Sequence, residues 1–408
     1  MPKKIIKTYV TFSFFLSLSH AFFFATYQLF LASRGMNLLE INIINMFFMA
    51  GVFLLEVPTG AFADVFGRKK SIVIGCFMLS LSMLVYFFGN NFLLFVTAEL
   101  IGALGLTFLS GSLEAWVVDA LAYHGYDGEL SHVFRQEVYA TQFGVIFGSL
   151  MGGYLGEWDL SLPWLASAIA TFVVGFFAIF ALKEQQTEQV KFAFSFAPLR
   201  KTIKDSINFG YQKKSVWFVV LFGMLLAISV QGMNMQWPFV FQNTYGFSTA
   251  NLGWLFAAIS AITMLGGQLS KFFADRIRHE KNAIVLSQGI TTVGIIGASL
   301  MFGIVPTLSL FLLHEMGRGM LGPLKQAYLN HRIPSKQRAT ILSFDSMMGK
   351  AGSFLGLLGS GYLAQRAGIP LTWFVSGCVL AVGVLVFFNL KNGDETKTLQ
   401  NRIIIGNN

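Results

Sequence analysis

Charge is scarce in this chain. Of 408 residues, 12% are Asp, Glu, Lys or Arg, against about 25% in ordinary soluble domains, and the shortage excludes a surface built to face water. Cysteine is nearly absent as well: Cys76 and Cys378 each stand alone inside an apolar run, which leaves no disulfide framework and no cysteine-based metal site. Nine prolines and no long polar tract leave little room for an attached soluble domain. There is no phosphate-binding loop, so ATP hydrolysis is not the expected power source. Neither His-Glu-x-x-His nor Gly-x-Ser-x-Gly occurs, and no metal-spaced cluster replaces them, which argues against a membrane protease or hydrolase. The expectation is a protein that is not an enzyme and needs no cofactor or metal.

What fills the space is apolar. The chain is 54% hydrophobic and 15% aromatic, with 44 phenylalanines and a mean hydropathy of +0.62. That composition describes a membrane protein. The net charge of +9 matters through its distribution, and nucleic acid is not an expected partner. The start, MPKKIIK before an apolar run, has the look of a signal peptide, but the run continues to about Ala32 without a small-residue cleavage site, so it reads as a retained first span.

A helix rising about 1.5 Å per residue needs about 20 apolar residues to cross the hydrocarbon. Twelve stretches meet that length, near 8–32, 41–66, 71–89, 92–122, 133–156, 162–182, 215–241, 249–273, 282–303, 307–330, 338–365 and 369–390. The single long connection follows the sixth, which divides the chain into a first six-helix half at 1–182, a linker at 183–214, a second half at 215–391 and a tail at 392–408. Lys and Arg crowd one set of loop ends, while the opposite set carries only Arg34 and Arg366. Cationic loops stay in the cytoplasm, so both termini are expected there, in a multi-pass protein of the cytoplasmic membrane.

The halves echo each other. Gly144, Gly148, Gly153, Tyr154 and Leu155 recur at an offset of 208 as Gly352, Gly356, Gly361, Tyr362 and Leu363, an internal symmetry typical of transport folds. Between the second and third stretches lies GAFADVFGRKK, with Gly60, Asp64, Gly67, Arg68, Lys69 and Lys70. Gly67 suits a tight turn, Asp64 can bridge Arg68 or face a helix N-terminus, and the cations set topology.

With twelve stretches, a six-plus-six split and this turn, the chain resembles the major facilitator superfamily of secondary transporters, whose signature here is Gly-x-x-x-Asp-Arg-x-Gly-Arg-Lys-Lys. Only Val65 departs, where the family has a cation. The resemblance implies twelve transmembrane helices in two pseudo-symmetric halves, no soluble domain, and a monomer in the bilayer. It also implies a conformational latch at Gly60, Asp64, Gly67 and Arg68, with Asp64 facing Arg338. Gly144, Gly148, Gly152 and Gly153 look like the antiporter motif of the exporters, with Ser149 in place of proline, although small residues at this spacing also serve plain helix packing. Gly111-Ser-Leu-Glu114 with Asp119, and Arg338 to Ser343, are similar to a drug-exporter-like subgroup. The arginine that many proton-coupled exporters carry in span four is replaced by Ala98-Glu99.

Ionisable groups inside hydrocarbon cost at least about 2.5 kcal/mol each near a helix centre. Those here are His20, Glu56, Glu99, Glu114, His314, Glu315, Arg318, Lys325, Asp345 and Lys350. Glu56, Glu99, Glu315 and His20 are the candidates for coupling to protons. Glu315 and Arg318 share a helical face and can pair, whereas Lys325 and Lys350 have no acid three or four residues away. Unless those lysines pair across helices, for example with Glu114 or Glu56, they make a cationic cavity suited to an anionic or zwitterionic substrate. Glu114 and Asp119 are placed to bridge Arg135. Gln231, Asn234, Gln236 and Trp237, with Pro238 able to break its helix, join Tyr27 and Gln28 as a polar and aromatic strip able to line a substrate site. The leading expectation is proton-coupled export of a small molecule by alternating access. A proton-driven importer of an anionic nutrient or iron chelator, and a non-transporting receptor on the same fold, are the alternatives.

Overall fold

The computed structural model describes residues 1–184, 214–277, 279–333 and 335–389, and among these every regular element is helical. In chain order they are α1 (Pro2–Ala21), α2 (Tyr27–Ser33), α3 (Leu38–Phe66), α4 (Arg68–Phe88), α5 (Phe92–Leu109), α6 (Ser112–Tyr123), α7 (Leu130–Trp158) and α8 (Leu162–Ala181). There follow α9 (Lys214–Phe239), a π-helical turn (Val240–Thr244), α10 (Thr249–Arg276), α11 (Glu280–Ser299), α12 (Ile304–Arg332), α13 (Ser335–Ala367) and α14 (Ile369–Asn389). Eight of the helical segments are long and apolar enough to cross a membrane. Apart from Lys183, Glu184 and Lys214, the predicted linker at 183–214 lies outside the described residues, as does the tail at 392–408.

Each predicted stretch falls on one helix or one broken pair. The first stretch, expected to be continuous, is interrupted between Ala21 and Tyr27, and the fourth is interrupted at Ser110-Gly111. Gly111 takes φ +70°, a conformation that glycine adopts without a Cβ penalty. No glycine or proline marks the first break. There the ring of Phe23 stacks on Trp164 at 4.2 Å and Phe24 tilts on Phe256 at 5.5 Å, so tertiary ring packing replaces the local signal. Other ends are set locally: Asn37 and Glu40 form a reciprocal capping box at α3, and Asn91 caps α5 through Leu94 N–H, each satisfying donors that a helix leaves unpaired.

Pro238 does not end its helix where the sequence suggested. The α-helix runs on to Phe239 and then widens into the π turn. The missing N–H of Pro238 instead releases the carbonyl of Asn234, four residues back, and that carbonyl accepts a hydrogen bond from Gln28 Nε2 at 3.3 Å.

The described chain clusters into two compact units. One comprises Met1–Phe196, Gln231–Met264 and Phe354–Thr372; the other comprises Ala197–Val230, Leu265–Ser353 and Trp373–Asn408. Within the first, α7 packs on α1 so closely that a Cβ on Gly144 would sit 2.5 Å from Phe14 O. Within the second, α13 meets α9 in the same way, with Gly352 placed 2.5 Å from Met224 O. Glycines 208 residues apart therefore make equivalent backbone contacts, which is the packing counterpart of the sequence echo. A further pair of seams lies in the first unit, where a Cβ on Gly153 would sit 2.8 Å from Gly253 Cα and one on Gly361 would sit 2.8 Å from Asn42 Cβ. Small residues bring backbones together in membranes, where dispersion rather than water exclusion favours helix association.

Candidate functional site: a carboxylate held by two tyrosines

Glu99 lies in the middle of α5 and is 6% exposed. Its Oε1 accepts the hydroxyl of Tyr27 at 2.6 Å and that of Tyr86 at 2.6 Å. Asn45 of α3 borders the same carboxylate. Tyr27 reaches it because the chain break before α2 presents the first residue of that helix inward. Tyr86 reaches it from α4, and Trp164 of α8 stacks on Tyr86 at 3.9 Å and 13°, with Phe95 on the other side at 5.5 Å. Short O–H···O contacts to an ionised oxygen are about twice as strong as neutral ones. Because both tyrosines converge on Oε1, loss of the negative charge weakens two hydrogen bonds at once. A proton arriving at this carboxyl is therefore felt on α2 and α4 together.

The predicted polar strip adjoins this carboxylate through consecutive residues. Gln28 follows Tyr27 and binds the Asn234 carbonyl; Asn234 Nδ2 reaches Gln231 Oε1 at 3.5 Å, and Trp237 tilts on Phe256 at 6.1 Å. Gln236 Nε2 donates to Ser360 O at 3.1 Å, and Asn42 Nδ2 donates to Leu357 O at 2.8 Å and to Ser360 Oγ at 3.1 Å. Among the described residues three acceptor oxygens here are buried without a partner, Gln28 Oε1, Gln236 Oε1 and Asn45 Oδ1, and each such group costs about 1–3 kcal/mol. Sequence reading missed Tyr86, Trp164 and Asn45. A tyrosine within an apolar run was the available signal for Tyr86, since a buried phenol needs a partner.

Other predicted residues lie apart from this carboxylate. His20 is partly buried in α1 with Nε2 unpartnered, Glu56 is exposed on α3, and Glu114 is exposed on α6. In the Gly60–Lys70 turn, Asp64 pairs with Arg68 at 2.6 Å, and Arg68 approaches Asp119 at 4.0 Å. Asp119 thus finds Arg68 rather than Arg135. Gly67 has φ +102°, and a Cβ there would lie 2.6 Å from the Glu184 carboxylate, which accepts the Lys69 N–H at the start of α4. An anion at a helix N-terminus is favourable. Gly67→Ala is expected to cost about 1–3 kcal/mol, because it combines a strained backbone with displacement of that cap. Asp64→Asn breaks only a half-exposed pair, worth at most about 1 kcal/mol. Thermal melts should therefore show Asp64→Asn close to the parent protein, well above Gly67→Ala.

In the second unit the charges are compensated. Glu315, 5% exposed, holds Arg318 at 2.9 Å and lies 3.7 Å from the buried His314. Lys325 of α12 contacts Asp345 of α13 at 2.6 Å, with side chains 15% and 17% exposed. Lys325 is therefore not the free cation that its sequence surroundings implied, and its acid comes from the next helix rather than from Glu114 or Glu56. Removing one partner of a buried pair leaves an uncompensated charge. Lys325→Met is expected to destabilise by about 3 kcal/mol, and adding Asp345→Leu should recover most of it. Equal melts for the single and double variants would deny the coupling.

The Major Facilitator Superfamily model matches residues 9–313 and 272–402. The chain belongs to that superfamily. It is 24% identical over 389 residues to the MFS-type transporter YxaM of Bacillus subtilis (strain 168), covering 93% of this chain and 94% of that one. Multidrug resistance protein 2 of the same organism is 20% identical over 334 residues, 80% of each. Among solved structures, the nucleoside transporter NupG matches with TM-score 0.80 and 15% identity over 95% of this chain and all of that one. A bacterial homologue of the iron transporter ferroportin matches at 0.74, with 14% identity over 94% and 98%. At these identities the structural neighbours share the fold. The protein is an MFS transporter, a multi-pass membrane protein of a family whose members move solutes.

Proposed function

We propose that this MFS transporter exports a small molecule by alternating access, driven by protons, with Glu99 as the residue that takes up and releases the proton. The observation that carries the reading is the Glu99 carboxylate fixed by Tyr27 and Tyr86 at 2.6 Å each, beside a broken first span. Discontinuous helices place irregular backbone where membrane transporters bind cargo and coupling ions. Tyr27 is followed directly by Gln28, so the proton site and the strip formed by Gln28 with Gln231, Asn234 and Trp237 of α9 each draw a residue from α2. Export is preferred over uptake because relatives named for multidrug and tetracycline resistance match most of this chain.

In this account the cations of the Asp64 turn face the cytoplasm with both termini, the chain works as a monomer in the cell membrane, and the Asp64–Arg68 turn latches one state. Glu56, His20 and Glu315 are secondary coupling candidates. The test is a substrate panel on purified protein in liposomes with an imposed pH gradient. Flux that follows the gradient supports the reading. Flux indifferent to it removes proton coupling, and solute movement that runs only inward removes export.

A further inference from the structure

The expectation of a cationic cavity rested on Lys325 and Lys350. Lys325 is matched by Asp345, as Arg318 is by Glu315, which weakens the argument for an anionic cargo. The polar strip points elsewhere. Gln28 and Gln236 are 4% and 1% exposed, and each commits its NH₂ group to a backbone carbonyl, Asn234 O and Ser360 O. A carbonyl can only accept, so these contacts fix both amides with their oxygens on the other side. Gln28 Oε1, Gln236 Oε1 and Asn45 Oδ1 are then buried acceptors without donors. All three belong to one compact unit, on α2, on α9 beside the π turn, and on α3 next to Glu99. Single π-type turns inside helices recur at functional sites.

Resting on the transport reading above, we propose that the cargo is an uncharged molecule rich in hydroxyl or N–H donors, recognised by the side-chain carbonyls of Gln28, Gln236 and Asn45. An anion without O–H or N–H groups offers these oxygens no donor. A cation lacking N–H groups satisfies none of them, and the charge of Glu99 is already engaged by two tyrosines. A site of acceptors discriminates strongly against analogues that lack the matching hydrogens, because its own groups then stay unpaired.

The experiment uses the full-length purified protein with uridine and D-ribose as uncharged donor-rich probes, benzoate as an anion and tetraphenylphosphonium as a donor-free cation. Binding is read by thermal shift and transport by uptake or release in liposomes. Uridine or ribose is expected to bind, with benzoate and tetraphenylphosphonium inactive. Gln28→Met and Gln236→Met should each weaken binding about tenfold, equivalent to 1.4 kcal/mol. On the unaltered protein, 2′,3′-dideoxyuridine should bind at least about tenfold more weakly than uridine, a comparison that needs no variant to fold. The proposal is overturned if only benzoate or tetraphenylphosphonium binds, if none of the probes binds, or if the dideoxy analogue or the Met variants bind like their parents. Gradient-driven flux of benzoate alone would keep proton-coupled transport and sink this inference. Uridine bound but not moved under any gradient would sink transport and leave the recognition claim standing.

Discussion

Glu99→Gln is expected to abolish flux driven by a pH gradient, by about tenfold or more, or 1.4 kcal/mol and upward, while gradient-independent exchange of the same solute persists. The amide has nearly the shape of the carboxyl, and its carbonyl oxygen can still accept from Tyr27 and Tyr86, which donate to a single oxygen of Glu99. What it cannot do is gain or lose a proton. Both hydroxyls stand 2.6 Å from one oxygen of Glu99; an ionised carboxylate holds such donors more strongly than a neutral acid does, so protonation alters the hold on α2 and α4. The glutamine is locked in the neutral condition. Tyr86→Phe should give a milder version, since one of the two contacts survives. Exchange and gradient-driven flux measured on the same proteoliposomes separate this outcome from misfolding. Loss of both together would indicate a structural residue rather than a coupling one.

The largest stability effect is expected at Gly152. A Cβ there would overlap the Phe22 carbonyl oxygen and stand 2.5 Å from Phe22 C and 2.7 Å from Phe22 Cα. These are backbone atoms at the break between α1 and α2, so no side chain can rotate aside. Over-packing usually costs about 1–3 kcal/mol. An immovable contact of this kind belongs at or above that range, and Gly152→Ala should lower the melting temperature in detergent by many degrees and reduce the yield of folded protein. Gly359→Ala is the matched control: nothing lies within 4 Å of its Cβ position, so the change should stay within about 0.5 kcal/mol. Equal melts for the two variants would contradict the packing seen at the α1–α7 seam. The expected difference between the two variants would explain why Ser149 can stand where exporters carry proline. In this chain the four glycines at 144, 148, 152 and 153 set the approach of α7, whatever its kink.

The helical segments were legible because each predicted stretch is apolar over a membrane's thickness, and that property depends on sequence alone. The turn at Gly67, which takes positive φ, was also legible, although the fourth stretch was read straight through the positive-φ Gly111. The break after Ala21 was not, because it is held by rings packing from distant helices onto Phe23 and Phe24, and local propensity carries no trace of that. Glu315 with Arg318 could be read from a three-residue spacing, whereas Lys325 with Asp345 could not, since it joins two helices. Likewise Glu99 stood out as a charge in hydrocarbon, but its partners come from α2 and α4, 72 and 13 residues away. Pairings across helices need the fold. Pro238 shows the two levels working together, since the proline names the freed Asn234 carbonyl and only the structure supplies Gln28 to fill it.

The central claim is that solute and proton move through one coupled cycle that passes through Glu99. The most direct measurement is to load proteoliposomes with a transported solute, set the pH gradient first one way and then the other, and follow both solute and proton. The account predicts that reversing the gradient reverses net solute flux, with a matching opposite proton flux, and that both couplings disappear in Glu99→Gln. Solute flux that keeps its direction and rate when the gradient is reversed would contradict it.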